Sequence, residues 1–171
     1  MAFSRRFLTV LTLTALVGLA VSGSLQAQRL SSAEIFHKSV LGAGYVFLKK
    51  DNQPDSLEIS HYQKVEGNKK SVIRAMAQNG QLLEVNFDTP RQQIAQPFQQ
   101  AVGMAFAALL YTTRPGIFQN KQNFEKIVDA FAEKMAVAWE QGGNQDLEHN
   151  GVQVSARITP TRIVQKMWVE Q

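Results

Sequence analysis

An α+β fold with antiparallel strands is predicted by three features of the chain. Strand-like segments gather in two runs, one on each side of a helical middle third, a grouping that favours antiparallel pairing over a parallel sheet. Asn79-Gly80 and Asn150-Gly151 each separate strand-like segments, and both residues tolerate the positive φ that a two-residue hairpin turn requires. Phe124, Ile127, Val128, Phe131, Met135 and Ala138 recur at the three-four spacing of a single helix face. The expected order is an N-terminal helix, an antiparallel meander of about four strands, two central helices and a C-terminal three-stranded antiparallel meander.

The first helix is marked by Ser31 and Glu34 at capping-box spacing, by Ile35, Phe36 and Val40, and by Gly42 as its stop. Tyr45-Val46-Phe47-Leu48 reads as a buried strand that ends at the turn-rich Asp51-Asn52-Gln53-Pro54-Asp55. Leu57 to Gln63 alternates, Gly67-Asn68 supplies a turn, and Val72 to Ala77 returns. Asn79-Gly80 then leads into Leu82 to Phe87.

Pro97 suits the first turn of a helix that extends to Thr112. From Ala101 to Tyr111 every residue is apolar, glycine or aromatic. A helix apolar on all sides lies centrally in a domain or in a membrane. This run is far shorter than the roughly twenty residues a span needs, so the core position is expected. Arg114-Pro115-Gly116 breaks it. The next helix ends at Gly142-Gly143, with Lys126, Asp129, Glu133 and Glu140 mostly opposite its apolar face. Burying its five large apolar side chains is worth about 10 kcal/mol before entropy is charged. Leu147 to His149, Val152 to Ile158, and Ile163 to Val169 form the closing meander, with the last turn at Pro160-Thr161.

The first 27 residues carry an export signature. Arg5 and Arg6 precede the apolar run from Phe7 to Val21, and small and polar residues follow to Gln28. Cleavage is expected after Ala27, with Ser24 as the second choice because Leu25 is large for its place before the cut. The mature chain then spans residues 28–171 as a single α+β domain with no stable membrane span, and is periplasmic or secreted. Removing two of the 18 basic residues and none of the 14 acidic ones lowers the formal charge from +4 to +2. A charge so nearly balanced gives little steering toward nucleic acid or an anionic membrane. The chain contains no cysteine, so packing alone must stabilise it.

Motifs for chemistry are missing from the chain. Gly42-Ala43-Gly44 precedes a strand, whereas phosphate-binding glycine loops precede a helix. Neither a nucleophile elbow nor a paired-histidine zinc motif occurs. His37, His61 and His149 are isolated from one another, and no metal or cofactor is expected. The doublets Lys49-Lys50 and Lys69-Lys70 fall at opposite ends of the meander, which removes the best candidate for a nucleic-acid surface.

One constellation follows from register. With two-residue turns at Gly67-Asn68 and Asn79-Gly80, His61 falls opposite Arg74 and Arg74 opposite Val85. The shared face then carries Leu57, Ile59, His61, Gln63, Val72, Arg74, Met76, Leu83, Val85 and Phe87, and reads as the apolar inner face. A buried guanidinium requires a partner, so His61, Arg74 and Gln63 are the candidate ligand-binding residues. Trp168 and Val164 fall on the face opposite Ile163, Met167 and Val169, and are the candidate partner surface. The function expected is an exported non-enzymatic protein that binds a protein partner or a small ligand. The alternative is a small exported hydrolase or lyase with His61 as base and Arg74 as anion holder.

Overall fold

The computed structural model describes residues 30–91 and 96–170. Helix α1 (Ser32–Gly42) begins at Ser31, whose Oγ accepts from the Glu34 amide while Glu34 Oε2 accepts from the Ser31 amide at 2.9 Å. This reciprocal cap is the one expected from the residue spacing. Strands β1 (Val46–Asn52), β2 (Leu57–Glu66), β3 (Lys69–Gln78) and β4 (Gln81–Pro90) follow as a meander. Helices α2 (Gln96–Thr113) and α3 (Lys121–Gln141) come next, then β5 (Gly143–His149), β6 (Val152–Ile158) and β7 (Arg162–Val169). The α+β class holds. The strands of both runs form one seven-stranded antiparallel sheet ordered β1-β2-β3-β4-β7-β6-β5, because β7 pairs with β4.

The turns behave as their residues dictate. Asn79 and Gly80 have φ of 51° and 79°, and Asn150 and Gly151 have 55° and 84°. Positive φ at both central positions is the type I′ geometry, whose twist matches that of paired strands. At Gly67-Asn68 only the glycine is positive, which is the type II′ pattern.

All three helices pack on one face of the sheet and share one apolar core. In α2 every residue from Ala101 to Leu110 is buried, so it is the central core helix. Phe124, Val128, Phe131, Met135 and Ala138 of α3 are buried as its periodicity implies, and Phe106 of α2 stacks on Phe131 with ring centroids 3.9 Å apart. Trp139, four residues after Met135 but not among the residues expected on this face, is also buried and its Nε1–H donates to Gln165 Oε1 at 3.1 Å.

Two strands depart from expectation. β1 is an edge strand, and Val46, Phe47 and Leu48 are 60%, 38% and 47% exposed rather than buried. Tyr45, one residue earlier, is buried at 3%. β4 contains an extra residue: Met76 pairs with Glu84 and Ala77 with Leu82, which leaves Leu83 as a bulge. The bulge lets Leu82 and Val85 both point into the core, at 1% and 0% exposure, although an odd spacing separates them.

Candidate functional site

His61 stands opposite Arg74, and Gln63 opposite Val72, so the expected pairing of β2 with β3 is present. The neighbouring register differs. Because Leu83 bulges, Arg74 faces Asn86 rather than Val85. A shift of one residue exchanges the two faces of a strand. Arg74 therefore shares its face with Glu84 and Asn86, while Val85 and Phe87 join Ile73 and Ala75 in the core. The face that bears His61, Arg74 and Gln63 is the outer one, and the Arg74 side chain is exposed to water.

Pairing across the whole sheet defines what surrounds these groups. One row runs Lys49, His61, Arg74, Asn86, Lys166, Ser155, Asp146, and the next runs Asp51, Ile59, Met76, Glu84, Trp168, Gln153, Glu148. A third passes through Gln63, Val72, Asp88, Val164 and Arg157. Trp168 and Val164 thus lie where the alternation of β7 places them, with Val164 49% exposed and Ile163, Met167 and Val169 buried beneath. Among the described residues no helix or strand covers this face.

Several charges on the outer face are paired. Asp51 Oδ2 lies 2.8 Å from Lys49 Nζ and 3.0 Å from His61 Nε2. The hydrogen bond from Lys49 is the main cause that holds the Asp51 carboxyl below the usual range, with the Lys49 and His61 charges adding to it against desolvation. Burial opposes ionisation of Glu84, but hydrogen bonds from Lys166 and Asn86, with the charges of Lys166 and Arg74, outweigh it and lower its pKa. Lys166 Nζ is 2.8 Å from Glu84 and 5.1 Å from the centre of the Trp168 ring. Arg162 binds Asp88 at 2.6 Å.

The other candidate groups have structural duties. His37 Nδ1 shares a 2.9 Å hydrogen bond with the Tyr62 hydroxyl, and His149 Nε2 meets the Ile127 carbonyl at 3.0 Å. Among the described residues, no group of three or more His, Asp or Glu side chains is placed to hold a metal ion. Lys49 and Lys50 are engaged by Asp51 and Glu58, while Lys69-Lys70 lie at the Gly67-Asn68 turn, so the doublets do not merge.

A cleft of about 490 Å³ lies at the opposite end of the sheet from β1. Glu133, Lys134, Val137, Glu140 and Gln141 of α3 form one wall, and Gln145, Asp146 and Leu147 of β5 the other. Sequence reasoning passed over it, because it arises where α3 runs beside an edge strand and no local pattern records that approach. Comparisons of the chain with protein families, curated proteins and solved structures find no match.

Proposed function

We propose that the protein is an exported, non-enzymatic binding protein whose contact surface is the uncovered face of its sheet. The observation that carries this reading is Val164, half exposed on the same face of β7 as Trp168, over which no described element packs. Valine and tryptophan on such a face expose apolar area to water unless a partner covers it. Val72 and Met76 lie on the same face, interleaved with the paired charges of Glu84–Lys166 and Asp88–Arg162 and with Arg74 and Asn86. Non-obligate protein interfaces are only about as apolar as the rest of a protein surface, and such a mixed face fits one. His61, Arg74 and Gln63 belong to the polar part of that surface.

A hydrolase or lyase built on His61 and Arg74 is the weaker reading. General bases and anion holders act in concave, water-poor sites where their fields are strong. On this face Arg74 is exposed, and His61 is drawn toward Asp51. Export rests on the Arg5-Arg6 segment and the apolar run that follows it. Among the described residues no helix is long and apolar enough to cross a membrane.

Fractionation of the producing organism, with native and intact mass spectrometry of the purified protein, tests this reading. The expected result is a chain that begins at Gln28, outside the cytoplasm, with a retained partner. Full-length precursor held in the cytoplasm, or a chain that turns over a small substrate, would contradict it.

A further inference from the structure

We infer that the corner where α1 ends and β1 begins seats the protein shallowly on an anionic lipid surface. β1 lies at the edge of the sheet, away from β7, and the inference does not rest on the Val164 face being used. Among the described residues seven large apolar side chains are exposed, and five of them are Leu41, Val46, Phe47, Leu48 and Val65. Local contacts gather these five. The Gly44 amide donates to the Leu41 carbonyl at 2.9 Å and the Tyr45 amide to the Val40 carbonyl at 3.2 Å, so the end of α1 abuts the start of β1. Val46 pairs with Gln63 and Phe47 with Tyr62. Lys64 Nζ donates to the Ala43 carbonyl at 3.4 Å, which brings the end of β2, and Val65 with it, to the same place. His37, one helical turn before Leu41, packs its ring against Phe47 with centroids 5.5 Å apart.

The arrangement of the five selects the occupant. Phe47, opposite buried Tyr62, turns to the helix side of the sheet, where Leu41 also lies. Val46 and Val65 fall with Gln63 on the open side. An apolar set that wraps both sides of a sheet edge is convex, and one added strand or one flat partner covers a single side of it. A lipid interface surrounds such an edge. Apolar side chains reach about 5–10 Å into it while backbone groups stay among hydrated headgroups. Three successive exposed apolar residues on an edge strand are a liability that folds avoid unless they are used. Charge points the same way. Lys38, Lys64, Lys69 and Lys70 surround the corner, where Glu66 lies 3.3 Å from Lys64. Glu34, one turn before Lys38, is turned to the Ser31 cap at the other end of α1. Lys38 and Lys70 are exposed and form no ion pair among the described residues. This local positive surplus, concealed by the near-balanced total, attracts anionic headgroups and sets like charge against like in a second copy.

The test is co-sedimentation of the purified mature protein with vesicles of phosphatidylethanolamine and phosphatidylglycerol. Saturable binding is expected, weakened by salt and about tenfold weaker on vesicles of phosphatidylcholine alone. Val46→Thr with Leu48→Thr changes only exposed side chains, places β-branched residues on the strand, and should weaken binding about tenfold. Lys38→Gln with Lys70→Gln should cause a loss of about tenfold at low salt that disappears at high salt. Val137→Thr, exposed on α3 beside the opposite edge strand, should leave binding unchanged. Urea melts establish that each variant is folded. Equal binding to phosphatidylcholine would overturn the anionic preference, and an equal loss from Val137→Thr would overturn the assignment to this corner. A dimer in sedimentation velocity that Val46→Thr with Leu48→Thr disperses, without vesicle binding, would assign the corner to a second copy instead. No binding to vesicles at millimolar lipid would overturn the whole inference.

Discussion

Leu82 is held between Ser32 and Thr112: its amide donates to Ser32 Oγ at 2.8 Å and its carbonyl accepts from Thr112 Oγ1 at 3.0 Å. Pairing of β4 with β7 begins only at Glu84, so these backbone groups have no strand to bind on that side. Thr112 Oγ1 also lies 2.7 Å from Ser32 Oγ, which joins the start of α1, the end of α2 and the start of β4. The Leu83 bulge follows immediately, and it decides which way Arg74 faces.

Ser32→Ala should therefore cost about 1–3 kcal/mol, since it leaves the buried Leu82 amide without an acceptor. Ser31→Ala, which removes the exposed cap of the same helix, should cost about 0.5–2 kcal/mol. Urea melts of both variants measure the difference. A smaller loss at Ser32 than at Ser31 would mean that the clamp on Leu82 contributes little.

Phe131 is fully buried and stacked on Phe106, so Phe131→Ala should cost about 3–5 kcal/mol. Lys126→Ala on the exposed side of α3 should stay within about 0.5 kcal/mol of the parent. Denaturant midpoints at constant slope decide the comparison.

Arg74→Met should leave stability within about 0.5 kcal/mol of the parent, because the guanidinium is exposed and surface charge interactions are weak. A loss of several kcal/mol in thermal or urea melts would show Arg74 to be a structural partner of Glu84.

His149 gives the fold a pH dependence. Burial beside Phe106 and Phe131 pushes its pKa below the ordinary histidine value, and the Lys134 charge adds to this, against the Ile127 hydrogen bond and the Glu148 charge. A lowered folded-state pKa means that the unfolded chain takes up the proton first as pH falls. The contribution is complete above about pH 6.5, declines below it and levels off beneath the folded-state pKa. His149→Gln retains a hydrogen-bond donor without titrating there. Between about pH 7.5 and 5.5 the parent should lose more stability in urea melts than this variant. Equal losses would remove His149 as the cause.

The parts of the fold that were legible are those set by local chemistry. Asn79-Gly80 and Asn150-Gly151 announce their turns because few residues accept positive φ, and the α3 face is visible in five buried side chains at helical spacing. The Leu83 bulge was not legible, because Ser32 and Thr112, remote in sequence, hold the backbone around Leu82. Without the bulge, Arg74 was placed on the wrong side of the sheet, although its pairing with His61 was foreseen. Val46-Phe47-Leu48 reads the same at an edge as in a core, and only the adjacent Lys49-Lys50 hinted at an edge. Trp168 and Val164 were placed correctly because β7 alternates without a bulge.

The uncovered sheet face is tested most directly by a photo-crosslinking amino acid at position 164, introduced into the protein in its own organism. A second copy of the experiment places the crosslinker at position 126 on the exposed side of α3. The account predicts a discrete adduct from position 164 that is absent from position 126 and is lost when Trp168→Ala is added to a chain that remains folded. Adducts of equal yield from both positions, or none from position 164, would contradict it.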